Sequence, residues 1–379
     1  MKKTFKYLSL ILSVVMLMGV CASCKKDVSE PNDINSSVET TDTSETTDNS
    51  GTTDNSGTTD NSGTTDDNGT TDNGGITDGD KEPDKEDPPV EDKTVNADII
   101  TMKSFETTLM SFNIKTNNYP GEREDEVAAS IVKYNAGVVC MQEVQKEQAD
   151  YLSQKLPERY EIVWNYRDTA DGEGLGIAYD SSVWTLESRD CFWLSETPDV
   201  KSKGWGARYY RICVNILLKH NETGAMLNVF DIHLDHEVEA ARNNGMKLIL
   251  EKVATSEYPC FVAGDFNTKE SGAAYAYTAE LLQDCRKVAS DSDSGATYQN
   301  WGANSDDNAD KMIDFCFVSR DLIKPSVFKI CRDKYGENND QFISDHYALR
   351  TTVTIGYREY NYPDATENGF DADMVTVAE

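Results

Sequence analysis

The chain has 379 residues and carries 36 Lys and Arg against 67 Asp and Glu, a formal charge of −31. Only 38% of it is apolar, below the roughly 45–50% of a globular chain, so a single compact unit throughout is excluded. A polytopic membrane protein and a basic nucleic-acid coat are excluded on the same grounds.

Lys2, Lys3 and Lys6 precede an uncharged run from Tyr7 to Val20, which ends in Cys21-Ala22-Ser23-Cys24. That order is an export signal, and the run is shorter than the ~20 residues that span a bilayer. It resembles a bacterial lipoprotein signal, which implies cleavage before Cys24 and its acylation. Ala22 and Ser23 precede Cys24, whereas bulky Val20 precedes Cys21. Cys21 itself stands where that pattern usually has Leu, and an ordinary secretory signal cut nearby is the alternative. The expectation is a lipid-anchored, cell-surface, extracellular protein that touches the membrane only through its N-terminus.

Residues 36–80 contain only Val38, Glu39, Glu45 and Ile76 besides Ser, Thr, Asp, Asn and Gly. A six-residue polar repeat, Gly51-Thr-Thr-Asp-Asn-Ser and its copies, has no apolar position to stack and reads as a solvated tether. About 72 such residues reach roughly 45–50 Å. The organisation expected is a signal at 1–24, a tether at 25–100, one ordered domain at 101–358 and an acidic tail at 359–379. Up to residue 96 there are 8 Lys against 20 acids, a net −12; the remainder holds 28 basic and 47 acidic residues, a net −19. The domain is therefore acidic by itself, with no Lys/Arg-rich run to grip phosphates along a duplex.

In chain order, strands are expected at Thr108–Ile114, Gly137–Met141, Tyr160–Trp164, Leu175–Tyr179, Tyr210–Lys219, Ala225–His233, Pro259–Ala263, Met312–Val318 and Tyr347–Ile355. Helices are expected at Glu122–Tyr134, Gln145–Leu156, Val238–Ala254 and Gly272–Leu282. In the third helix, Ala241, Gly245, Leu248, Ile249 and Lys252 share a side. Strands outnumber helices and alternate with them, as in an α/β (α+β) arrangement of two packed mixed sheets with helices outside. Seven cysteines fall in the domain, mostly inside apolar runs and without a Cys-x-x-Cys pair, so they behave as small hydrophobes and a zinc knuckle is disfavoured.

Polar residues recur where apolar strands end, the place at which a strand-based site assembles. Asn113 follows Leu109-Met-Ser-Phe, Glu143 follows Val138 to Gln142, and Glu173 precedes a strand. Arg211 opens another, His233 closes Val229-Phe-Asp-Ile, and Asp265 and Asn267 lie in Ala263-Gly-Asp-Phe-Asn. Asp314 and Ser344-Asp345-His346 complete the set. Each has a plain reading: a loop carboxylate, a core histidine, an Asx turn, a strand-edge charge. Together they point to chemistry, because independent coincidences multiply.

The ordered set closely resembles the endonuclease/exonuclease/phosphatase superfamily, through Ser111-Phe-Asn113, Gln142-Glu-Val144, Gly172-Glu173 and Phe192-Trp-Leu-Ser-Glu-Thr-Pro198. Gly204-Trp205, His233-Leu-Asp-His236, Gly264-Asp-Phe-Asn267, Ile313-Asp314 and Ser344-Asp-His346 continue it. Two of these blocks look like the secreted, bacterial single-domain branch, with Asp231 as a departure where that branch usually has Asn.

The resemblance implies a four-layer sandwich and a magnesium-dependent phosphoesterase, with Mn2+ or Ca2+ as alternatives. Glu143 is then the principal metal ligand, supported by Asn113 and Asp345. Asp265 orients or deprotonates the attacking water, Asn267 donates to the transition state, and His233 and His346 hold phosphoryl oxygens. Glu173 is matched to His233 and Asp314 to His346, each as a carboxylate favouring the charged imidazole, and Arg211 contacts phosphate. Trp193, Trp205, Tyr209 and Tyr210 offer stacking surface or core. The leading substrate is a phosphodiester of nucleic acid or a nucleotide, and the alternative is a lipid head group or a sugar or inositol phosphate. A non-catalytic surface binding protein is the third reading, and a monomer is expected.

Overall fold

The computed structural model describes residues 100–168 and 172–360. The signal, Cys24, the tether and the tail beyond residue 360 lie outside the described residues. In chain order the first elements are β1 (Ile100–Asn113), α1 (Glu122–Lys133), β2 (Val138–Val144), α2 (Lys146–Lys155), β3 (Tyr160–Tyr166), β4 (Gly174–Asp180) and β5 (Trp184–Trp193). Then come β6 (Ile212–His220), β7 (Met226–His233), α3 (Glu239–Ala254), β8 (Cys260–Asp265), α4 (Ala273–Leu281), β9 (Gln283–Asp284), α5 (Cys285–Val288) and β10 (Asp291–Ser292). The last are β11 (Asp314–Val318), β12 (Ile323–Cys331), β13 (Lys334–Tyr335), β14 (Gln341–Phe342) and β15 (Ala348–Tyr360).

These form a seven-stranded sheet, β10-β12-β15-β1-β2-β4-β3, and a six-stranded sheet, β5-β6-β7-β8-β11-β9, with β13 and β14 paired separately. Both large sheets mix parallel and antiparallel pairs: β1 runs parallel to β2 and β7 parallel to β8, while most other neighbours are antiparallel. The expected α/β sandwich is thus the observed one.

Alternation explains the layering. Leu109, Val138 and Cys140 join the core shared with the second sheet, while their neighbours Met110, Val139 and Met141 pack with Val127, Ile131 and Leu152 of α1 and α2. A strand with both faces covered must be apolar on both, which is why β2 is buried from end to end. On α3 the buried residues are Ala241, Gly245, Met246, Ile249 and Val253. Leu248 and Lys252 are only partly covered, so the packed stripe is rotated from the one expected. Each fully buried Leu, Ile or Phe adds about 1.5–3 kcal/mol to such a core.

Two long strands escape the sequence pattern. Trp184–Trp193 has a run of four charged or polar residues, Glu187 to Asp190, through its middle, which suits a sheet edge, and Ile323–Cys331 contains Pro325 at a register shift. β1 begins at Ile100 because its first half pairs with the second half of β15 rather than with β2. The seven domain cysteines are all free, and six of them are buried. Gly264, at φ +148°, leaves no room for a side chain, since a Cβ there would lie 1.9 Å from the Ile232 carbonyl oxygen. This close approach of β7 and β8 brings His233 beside Asp265.

Candidate active site

Three strand ends of the second sheet place three functional groups in one row. His233 pairs with Asp265 across the parallel β7–β8 ladder, and Asp265 pairs with Asp314 across the antiparallel β8–β11 ladder. The first sheet contributes Asn113 at the end of β1 and Glu143 in β2. Glu143 sits where the register shifts between Gln142 and Val144, with φ +59°. This bulge re-aims one carboxylate out of a buried strand. Ser344 Oγ donates to the Asn113 carbonyl at 2.6 Å and ties the loop carrying Asp345 and His346 to β1.

Asn113 links the sheets. Its Nδ2 donates to Glu143 Oε1 and to Asp265 Oδ2, each at 3.2 Å, while its Oδ1 accepts from the Lys115 N–H at 3.2 Å. Asp265 Oδ1 accepts from the Asn267 N–H at 2.8 Å, and Asn267 Nδ2 donates to the Leu234 carbonyl at 3.0 Å. Asp265 Oδ2 lies 3.5 Å from His233 Nε2 and 3.8 Å from His346 Nε2. Burial, then the neighbouring Asp314, pushes the Asp265 carboxyl up to about 7, with His346 opposing.

The two histidines differ. His346 Nδ1 is 2.9 Å from Asp314 Oδ2, which also accepts a 2.6 Å bond from Thr297 Oγ1. Burial opposes the His346 cation, but Asp314 outweighs it and raises the group to about 10, so His346 is an imidazolium at neutral pH. His233 has its Nδ1 3.5 Å from Glu173 Oε1 without a hydrogen bond. Glu173 instead holds Arg167 NH1 at 2.5 Å and faces Arg211 NH1 at 3.6 Å. Burial, then Arg211 and Arg167, push His233 well below its ordinary range, so it is neutral. The carboxylate matched to each histidine in the sequence lies beside it, but the two differ in degree: Asp314 is hydrogen-bonded to His346, whereas Glu173 stands 3.5 Å from His233 and is also engaged by guanidinium groups.

Arg211 is buried, with NH2 3.0 Å from His236 Nδ1 and with Nε and NH1 free of hydrogen bonds, NH1 facing Glu173 at 3.6 Å. Guanidinium donors with hydrogen-bonding capacity to spare suit anionic oxygens. His236 is on the rim, against Tyr209. Trp193 donates to the Arg167 carbonyl, Tyr209 lies between Arg167 and Arg208, and Tyr210 between Lys201 and Lys203.

Two contributors had no motif to announce them. Thr297 sits far along the chain from the groups it orients. Lys115, two residues past Asn113, places Nζ 3.1 Å from Glu143 Oε2 and 3.6 Å from Asp345 Oδ2. Its backbone is left-handed (φ +58°), and its carbonyl is held by Arg123 and Gln148. The only sequence signal was a cation beside a strand-end amide.

The ammonium between Glu143 and Asp345 shows that two carboxylates from separate segments converge where a cation is stabilised. Hard oxygen donors of this kind fit a divalent ion such as Mg2+. Asp265, Asp314 and His346 also place ligand atoms within 4.8 Å of one another. There, however, His346 Nδ1 and Thr297 already occupy Asp314, so that cluster reads as a proton-transfer network.

Residues 110–346 match the model of the Endonuclease/Exonuclease/phosphatase family. A family protein from Bacteroides thetaiotaomicron is 26% identical at a TM-score of 0.63, covering 69% of this chain and 99% of its own. The mannosyl-6-phosphatase Bt3783 of the same organism is 27% identical at a TM-score of 0.61, covering 65% and 99%. D. rerio TDP2, solved with a single-strand DNA product, is 14% identical at a TM-score of 0.53, covering 65% and 98%, and shares the fold.

Proposed function

Because the chain belongs to the endonuclease/exonuclease/phosphatase family, we propose that it is a metal-dependent hydrolase of small phosphate esters in which Asp265 activates the attacking water. The observation that carries this reading is the Asp265 carboxyl, raised to about 7 and set between the Nε2 atoms of a neutral and a charged histidine. A base poised near the working pH combines the ionised form with a useful appetite for a proton.

Glu143 and Asp345, steadied by Asn113, would hold the ion, which when bound neutralises charge on the phosphoryl group. The His346 imidazolium donates from Nε2 to a phosphoryl or leaving oxygen, with its other nitrogen fixed by Asp314. Neutral His233 offers a second polar contact, and Arg211 offers the non-bridging oxygens the two donors that make no hydrogen bond, Nε and NH1. Asn267 keeps Asp265 aimed through its backbone N–H and retains one carboxamide N–H for substrate.

Of the substrate classes weighed, a phosphorylated sugar is favoured over nucleic acid. The likeness to a mannosyl-6-phosphatase is at 27% identity, whereas that to a DNA-processing relative is at 14%. An acidic domain without a basic track points the same way. The test is hydrolysis by the purified protein with Mg2+ of hexose phosphates, single- and double-stranded DNA, RNA, sphingomyelin and phosphoinositides. Turnover of hexose phosphates that stops on chelation and in His233→Ala is expected. Hydrolysis surviving both removes the mechanism, a preference for DNA or RNA restores the nuclease alternative, and no turnover without metal binding favours a binding protein.

The location proposed is the cell surface, through acylated Cys24. Mass analysis of the mature N-terminus is expected to show a lipid-modified Cys24; an unmodified terminus beyond it refutes anchoring.

A further inference from the structure

Beneath the site, the two sheets are joined by a polar contact that neither water attack nor phosphate binding uses. Asp231 of β7 is fully buried, and its Oδ1 accepts a 2.7 Å hydrogen bond from Gln142 Nε2 of β2. The remaining oxygen of each group, Asp231 Oδ2 and Gln142 Oε1, is buried without a donor. An ionised carboxylate here would face an apolar interior with two bare acceptors on either side of one bond. Around it are the buried thiols of Cys140 on β2 and Cys213 on β6, the backbone groups of Met141, Gly176 and Ile232, which favour the anion, and Ser111 Oγ, 3.4 Å from Gln142 Nε2; among the described residues no Lys or Arg forms an ion pair with Asp231. A proton on Oδ2 would remove the unmatched charge and supply the donor that the neighbouring Gln142 Oε1 lacks, as in an acid–amide pair.

The pair lies directly under the chemistry. Gln142 precedes Glu143 at the bulge, and Asp231 is two residues before His233, on the same face of β7. We propose that Asp231 is a positioning residue that carries its proton at neutral pH and, paired with Gln142, holds the two sheets in fixed relation beneath Glu143 and His233. Burial pushes the Asp231 carboxyl well above its ordinary range, its hydrogen bonds opposing. The kinetic part of this inference rests on the phosphoesterase reading; the protonation does not.

The sign of the linkage is set by that rise. The folded chain keeps a proton that the unfolded chain releases above about pH 4, so the contribution to stability is complete below that pH and declines as pH rises toward the folded value. The decline is up to about tenfold in the folding constant per pH unit. Asp231→Asn supplies an N–H in place of the proton, and with it the donor that Gln142 Oε1 lacks, at any pH.

The experiment compares wild type, Asp231→Asn and Gln142→Met. Expected results are a protonated-acid carbonyl band in the infrared difference between wild type and Asp231→Asn at pH 7, and a loss of wild-type stability relative to that variant from pH 5 to pH 8. Asp231→Asn keeps its hydrolytic rate, whereas Gln142→Met loses about 10–100-fold in kcat and in Mg2+ affinity by calorimetry, as is usual when the support of a site is removed. A carboxylate band with parallel pH–stability curves overturns the protonation. Wild-type kcat and Mg2+ affinity in Gln142→Met overturn the positioning. A wild-type protein that hydrolyses no phosphate ester refutes the reading of the site instead, and the infrared and stability measurements still decide the proton.

Discussion

Asp265→Asn is expected to lower kcat by about 10²–10⁴-fold, the range for removing a positioned general base, without lowering thermal stability. The carboxyl is buried, bonded to Asn267 and Asn113, and near both histidines. Asparagine keeps Oδ1 for the Asn267 N–H but cannot take a proton from water. It removes a group that burial and Asp314 disfavour as an anion, which offsets the N–H it turns toward the Asn113 Nδ2 donor, so unfolding temperature is expected to hold. Steady-state kinetics and a thermal melt decide it. A variant within threefold of wild type sinks the assignment of the base, and one that loses activity together with its fold says the carboxylate is structural.

The second large effect is expected for Glu143→Gln. The side chain projects from a bulge with a left-handed backbone and faces Lys115 and, across Asn113, Asp265. Glutamine fills the same space and retains the Asn113 contact but presents no charge to a divalent ion. A Lewis acid in such a site is worth several kcal/mol of transition-state stabilisation, so kcat/KM is expected to fall by about 10²–10³-fold. Mg2+ binding measured by calorimetry weakens in parallel. Unchanged Mg2+ affinity would move the ion away from Glu143, toward the Asp265–Asp314–His346 group.

Much of the framework could be read along the chain, because burial writes itself into periodicity. β2, β4 and β8 are covered on both faces and show as apolar runs that give way to polar residues only near their ends. β5 could not be read that way, since its middle faces solvent. Nor could β12, whose proline is tolerated only at an irregularity that the register reveals. The outer half of β1 is supported by one partner, β15, from the far end of the chain.

For the candidate site, sequence by itself determined where to look: Asn113, Glu143, His233, Asp265 and His346 each end a strand or adjoin one, where an apolar run must stop and a polar group can reach solvent. Tertiary structure alone decided how those groups are matched. Glu173 and Asp314 look equivalent in the chain, yet one is drawn to Arg167 and the other to His346. Charge on an imidazole depends on what lies within a few ångströms and on how dry the surroundings are. Neither quantity exists until the two sheets have closed on each other.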